Sequence, residues 1–299
     1  MFDHIIGNEP IKAYFSKAFE SNTLPTAMII SGLPGLGKTL FAHALAQKLL
    51  MTNKIETHPD FHSLKPESKS GLHSIESFRH LIDEVQTSAY QNCGKVFIIF
   101  DADRMQTASA NAILKTLEEP NPDTTLILIT EELNAILPTI RSRCASIALK
   151  PIREDLIASY LMSNNLDPKW AKLSFGSIGK AVELATKPLL EQPIFDLLAS
   201  RPIYPKFLQE LEKIEASIDD EDPVKKNQNV ARLLTAVLIW YRDQYAHKLG
   251  GALYFSDNKP VDFFLPTIAT VAAIVEEARI NYQRNIKLSA CLEHIFSHL

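Results

Sequence analysis

The chain is 299 residues long, with 46% hydrophobic residues, 22% charged residues and a formal net charge of −4. Length points to about two domains, and the composition excludes a disordered or fibrous polymer and a free-standing basic nucleic-acid binder. Three cysteines, Cys93, Cys144 and Cys291, are too scattered for a disulfide framework or a zinc spacing, which fits a reducing cytoplasm. No apolar run reaches membrane-crossing length, so no membrane partner is expected. The first ten residues lack the apolar core of a signal peptide.

Up to residue 150, short and continuously apolar stretches at 27–31, 60–64, 96–100, 126–130 and 145–149 alternate with amphipathic segments of helix length. Unbroken apolar runs suit strands covered on both faces, and the alternation predicts an α/β domain with a parallel sheet over 1–150. After Pro151 the β-rich runs stop. Residues 152–190 read as short helices broken at Asp167-Pro168 and between Gly176 and Gly179. Residues 191–299 read as longer helices. Asp219-Asp220-Glu221-Asp222-Pro223, a solvated acidic loop, and the turn-rich 250–260 separate them. Within 231–249, Leu233, Leu234, Val237, Leu238 and Tyr241 form an apolar stripe, with Trp240 off its centre.

The strongest local signal is Gly32, Leu33, Pro34, Gly35, Leu36, Gly37, Lys38 and Thr39, which fits G-x-x-x-x-G-K-[ST], with Leu40 completing the binding segment. Glycines let successive backbone N–H groups turn inward on phosphate oxygens. Lys38 places an ammonium beside the β- and γ-phosphates, and Thr39 offers a hydroxyl to Mg²⁺. The helix expected over 39–50 adds its positive N-terminal end, with Phe41, Ala44, Leu45 and Leu49 on one apolar face. ATP or ADP with Mg²⁺ is therefore the expected cofactor. Asp101, closing the strand at 96–100, is the expected second carboxylate on the metal side. The position after it, where many such ATPases carry the glutamate that polarises the attacking water, is Ala102. The sequence thus points to bound nucleotide with impaired hydrolysis. The spacing leaves open whether Asp103, two residues on, faces the site.

A further set of blocks follows. Asn111 to Pro120 reads as a packed helix, with Ile113 and Leu117 four apart, stopped before the proline. The strand ending in Thr130 and the segment Ile140-Arg141-Ser142-Arg143-Cys144 come next. With Asp3-His4-Ile5-Ile6-Gly7-Asn8, Leu24-Pro25, His58-Pro59-Asp60-Phe61 and the closing 285–293, this pattern resembles the AAA+ clamp-loader subunits of bacterial DNA polymerase III. The resemblance covers nearly the whole chain and is thinnest over 190–280. It implies a P-loop domain over 1–150, a small helical lid over 151–190 and an all-helical collar over 191–299.

Within that family the chain looks most like the delta-prime type. Ala102 stands where the gamma/tau motor type carries its catalytic glutamate. The motor pattern Gly-Ser-x-Arg reads Gly176-Ser177-Ile178-Gly179 here, with Lys180 one place late. Motor subunits also extend beyond the collar helix that ends this chain. The resemblance implies that Arg143 reaches in trans to the nucleotide of a neighbouring subunit, where a guanidinium neutralises charge on the γ-phosphate. A guanidinium paired with a local acid is the alternative use. Thr130 matches the polar sensor position, and Cys144 is expected to pack as a small apolar residue. The family's four-cysteine zinc module is missing, since 50–56 holds no cysteine. His58, His62, His73 and His80 are read as ordinary histidines, and no zinc is expected. Implied partners are the gamma/tau and delta subunits, the sliding clamp indirectly, and primer-template DNA inside the assembled complex during DNA replication. An active gamma/tau-like ATPase motor, with Asp103 replacing the missing glutamate, is the alternative. A small-molecule P-loop kinase is a third reading, but it needs an arginine-rich lid and 152–190 offers Arg153 alone.

Overall fold

The computed structural model describes residues 2, 4–66, 72–91, 94–121, 123–186, 191–219, 223–251, 253–255 and 258–299. Of the residues singled out above, Asp3, Cys93, Asp220, Glu221 and Asp222 lie outside these, as does 187–190. The chain forms two compact units, Met1–Thr186 and Lys187–Leu299.

The first unit runs α1 (Glu9–Glu20), β1 (Ala27–Ser31), α2 (Lys38–Leu49), β2 (Phe61–Leu64), α3 (Ile75–Gln86), β3 (Lys95–Ile99), α4 (Thr107–Glu118), β4 (Thr124–Thr130), α5 (Pro138–Arg141) and β5 (Ala145–Ala148). It closes with α6 (Glu154–Ser163), α7 (Trp170–Leu173) and α8 (Ile178–Thr186). The strands are parallel, in the order β2-β3-β4-β1-β5. Helices cover both faces, as the AAA+ resemblance implied.

Alternation within each strand builds two cores. Met28, Ile30, Val96, Ile98, Ile127 and Ile129 pack toward Phe15 of α1 and Phe41 and Leu45 of α2. Ile29, Phe97, Ile99, Leu126 and Leu128 pack toward Phe78 of α3, Ile113 and Leu117 of α4 and Ile140 of α5. Every position of β1 and β3 is consequently buried. That is why these strands read as unbroken apolar runs instead of alternating ones. Helix α4 stops at Glu118, its cap Glu119 already leaving helical geometry ahead of Pro120. The break placed between Gly176 and Gly179 is shorter than expected, because Gly179 lies in the first turn of α8.

The second unit is helical, with α9 (Gln192–Ser200), α10 (Tyr204–Ile218), α11 (Pro223–Leu249), α12 (Ile268–Gln283) and α13 (Leu288–His298). Leu233, Leu234 and Val237 of α11 meet Val271 and Val275 of α12 and Leu292 of α13 in its core. Trp240 corrects the sequence reading. It is 1% exposed and packs on Tyr241 and Phe263. Helix α11 is covered by α9, α10 and α12, so its apolar surface is wider than one stripe. No helix of the described residues is long and apolar enough to cross a membrane.

Asp243, fully buried on α11, accepts hydrogen bonds from the backbone N–H groups of Tyr254 and Phe255, both at 2.8 Å, and from Asn258 Nδ2 at 3.1 Å. Gln244 beside it binds Lys259 O and the N–H of Val261. Two adjacent side chains thus satisfy the backbone of a loop that has no regular structure of its own. Replacing Asp243 by Ala leaves those N–H groups without their buried acceptor. The expected outcome is a loss of about 3 kcal/mol in the unfolding free energy of the second unit, read by urea titration of Trp240 fluorescence.

Candidate functional site

Strand register assembles the site. Ser31 at the end of β1 pairs with Thr130 at the end of β4, and Ile99 of β3 pairs with Leu128. Two residues beyond Ile99, the chain leaves the strand at Asp101, whose φ is +46°. The loop after β1 therefore opens beside both strand ends, at the carboxyl edge of a parallel sheet, where open α/β folds bind ligands.

The loop has the backbone that its glycines allow. Gly35 and Gly37 adopt φ of +73° and +88°, a region that side chains disfavour. A Cβ on Gly35 would lie 2.3 Å from Ser177 Oγ, and one on Gly179 would lie 2.9 Å from Gly35 Cα. The Gly179 N–H donates to Gly35 O at 3.0 Å. The first turn of α8 thus rests backbone to backbone on the phosphate loop. Gly179, the position that the resemblance set against the motor-type arginine, is used here for that contact.

Lys38 opens α2 and is 8% exposed. Its ammonium donates to Gly32 O at 2.7 Å and Leu33 O at 2.9 Å. Glu131 Oε1 stands 3.9 Å away. Burial lowers the Lys38 pKa, against the pull of Glu131, Asp101 and Asp103. Burial also raises that of Glu131, reinforced by Asp101 and Asp103 and opposed by Lys38. Both partners are pushed toward neutrality, so desolvation outweighs their mutual attraction.

Lys38 and Glu131 both line a pocket of about 500 Å³. Lys38, Thr39, Asp101 and Glu131 supply its charged and polar lining. Apolar lining comes from Ile5 and Ile6, Ile152, and Ile178 and Val182 of α8. The N-terminal segment is held there by Asn8, whose side chain donates to Lys150 O at 3.2 Å and accepts from Lys150 N at 2.8 Å. A volume of this size, lined by both charged and apolar side chains, suits a nucleotide. A hydroxyl and a carboxylate are hard oxygen donors, so Thr39 and Asp101 fit Mg²⁺.

Asp103 is engaged by Thr130, whose Oγ1 donates to Asp103 Oδ1 at 2.6 Å; neither residue is part of the pocket's lining, and Thr130 is fully buried. Ala102 is 1% exposed and packs into the core beneath α3 and α4, so it presents nothing to the pocket. The sequence reading missed Glu131, although its place directly after a strand end was a usable signal. The four histidines lie apart in role. His58 meets Gln91, His62 stacks on Phe97, His73 contacts Phe100 O at 2.7 Å and His80 is exposed. Among the described residues no group of three or more His, Cys, Asp or Glu converges as for a metal.

Arg143 lies apart from this pocket's lining, in the turn after α5, with its side chain 34% exposed. Nη2 donates to Glu118 Oε1 at 2.5 Å, and Nη1 to Thr139 O at 2.9 Å and Ser142 Oγ at 3.3 Å. The guanidinium is thus at the surface and also paired with a local acid. Arg141 takes a neutral partner, Asn134 Oδ1 at 3.3 Å.

Residues 7–153 match the family model described as DNA polymerase III, delta subunit. The delta' subunit of Escherichia coli K12 is 32% identical over 179 residues, 53% of this chain and 54% of that protein. The delta' subunit of Bacillus subtilis is 31% identical over 186 residues, 56% of each chain. The gamma/tau subunit of Mycoplasma genitalium is 33% identical over 176 residues, 54% of this chain and 29% of that protein. The chain spans about half the length of the delta' relatives it matches. A gamma subunit-related protein of Thermotoga maritima shares the fold, with a TM-score of 0.59 at 16% identity, over 94% of this chain and 97% of that one. The chain is therefore similar to DNA polymerase III clamp-loader subunits, and is delta-prime-like over its first half.

Cys144 packs against the core beneath α4 and α5, and burial pushes its thiol up to about 11. The thiolate is the reactive form, so Cys144 is expected to stay unlabelled by iodoacetamide at pH 8 in the folded chain and to react fully in urea, as read by peptide mass mapping.

Proposed function

We propose that this chain is a delta-prime-type subunit of a DNA polymerase III clamp loader. It holds ATP or ADP without efficient turnover and serves a neighbouring subunit through Arg143. The observation that carries this reading is Ala102: a phosphate cradle with a suitable lysine, hydroxyl and carboxylate lies beside a buried methyl where the base for water would stand.

In this reading the segment from Gly32 to Leu40 wraps the phosphates. Lys38 exchanges its two loop carbonyls for phosphate oxygens, a stronger, charge-assisted partner. The N-terminal end of α2 adds partial positive charge. Thr39 and Asp101 would hold Mg²⁺, which neutralises phosphate charge when bound. Thr130 serves as the polar sensor at the strand end, with its hydroxyl oriented by Asp103. The apolar lining of Ile5, Ile6, Ile152 and Val182 receives the base and keeps water from it. Residues 1–150 act as the nucleotide domain, 151–190 as the lid and 191–299 as the collar that joins gamma/tau and delta subunits. The sliding clamp and primer-template DNA are met through that cytoplasmic assembly, and the chain contributes to clamp loading chiefly by lending its arginine.

One observation favours a second reading, an active gamma/tau-like motor: Asp103 and Glu131 bring carboxylates close to Lys38. The kinase reading lacks such support, because Arg153 is engaged by Asp155 at 3.0 and 2.7 Å.

Two measurements test the proposal. Fluorescent ADP is expected to bind the isolated chain, Lys38→Ala is expected to weaken that binding by at least about tenfold, and basal ATP turnover is expected to be near background; a robust rate abolished by Lys38→Ala would establish the motor reading. Separately, Arg143→Ala is expected to lower the DNA-stimulated ATPase of the reconstituted complex with assembly intact. Unchanged activity would remove the role in trans.

A further inference from the structure

We infer that Glu118 is the parking partner of Arg143: it holds the guanidinium on this chain's own α4 until the phosphate of a neighbouring subunit's nucleotide displaces it. The inference rests on the reading of Arg143 given above and adds a residue to which that reading gives no role.

Glu118 is the last residue of α4. The carbonyls that end a helix carry partial negative charge, so a carboxylate there is electrostatically misplaced. Glu119 follows directly and adds a second acid. Glu118 therefore does not serve its own helix. Its position makes sense as a socket for a cation, and the cation present is Arg143 at 2.5 Å. Arg141, two residues earlier, takes an amide oxygen instead. Thr139 O and Ser142 Oγ complete the hold on Nη1. The guanidinium is thus fixed from α4 and from the α5 turn together.

Two consequences follow from the charges. While Glu118 is bound, the pair is neutral overall, and its pull on a distant phosphate is weak. The Nη2 that Glu118 occupies is also one that a phosphate oxygen would need, so the two anions compete for one donor. The exchange is easily reversed, because both side chains are partly exposed, at 34% and 49%, and a pair of that kind contributes little. A nucleotide phosphate offers more negative charge and a two-pronged acceptor for the planar fork. Glu118 then releases Arg143 to a nucleotide-filled neighbour and retains it otherwise.

The test titrates the labelled full chain with the gamma/tau-type subunit of the same organism, loaded with a non-hydrolysable ATP analogue, at low ionic strength. Glu118→Ala is expected to tighten docking by about two- to fivefold, and added salt is expected to shrink the gain. In the Arg143→Ala background the same substitution is expected to change nothing. An unchanged or weaker affinity for Glu118→Ala overturns the inference. So does an equal gain in the Arg143→Ala background, which would reduce Glu118 to a source of simple repulsion. If Arg143→Ala alone leaves docking and stimulated ATPase at the wild-type level, the role of Arg143 itself fails and the parking role falls with it. If Arg143→Ala is defective while Glu118→Ala is silent, only the parking role fails.

Discussion

The position of β4 between β1 and β3 is the constraint from which the site follows. A parallel sheet puts all its strand ends at one edge. This order makes the phosphate loop, Asp101 and the Thr130–Glu131 end immediate neighbours, although they lie far apart in sequence. Lys38 is buried there among its own loop carbonyls, with carboxylates nearby. Burial works against the charge on both Lys38 and Glu131. A cradle of this kind gains from an anionic ligand that supplies Lys38 with a better partner. Under the proposed function the same half-buried charges are put to use by a bound phosphate.

Glycine at 179 extends the same logic to the lid. Direct backbone contact between Gly35 and α8 requires that neither position carry a Cβ. Placing α8 there brings Ile178 and Val182 to the pocket's apolar lining. An arginine at 179 would force α8 away from the loop, and under the proposed function a lid packed this way covers the nucleotide without inserting a charge beside its phosphate. Ala102 has the same sense on the other side of the site. Two positions at which a motor would invest in chemistry are occupied here by packing.

Much of this was legible in the sequence, because the signals were local. The glycines, Lys38 and Thr39 are contiguous, and a strand buried on both faces shows itself as a short apolar run. Asp101, Ala102 and Thr130 could be located because each closes such a run or follows it. What escaped notice depends on pairings across long sequence distances. Glu131 matters because β4 lies next to β1, and Glu118 because the α5 turn folds back on the end of α4. Trp240 looked off-centre because a single helical stripe was assumed, whereas three helices cover α11. Asp243 gave no pattern at all, since the loop groups it holds, two backbone N–H groups and the Asn258 amide, lie 11 and more residues away.

Arg143 joins the two halves of the account. It lies outside the lining of the chain's own pocket, at the surface, and carries a charge that Glu118 offsets. Under the proposed function such a group acts across a boundary with another molecule. The most direct measurement is a cryo-EM structure of the assembled complex with nucleotide bound, read for the partner of the Arg143 guanidinium. The expected result is Arg143 within charge-assisted hydrogen-bond distance, about 2.7–2.9 Å, of a phosphate oxygen in the adjacent subunit, with Glu118 released. Arg143 still seated on Glu118 in the complete, nucleotide-filled assembly would contradict the account.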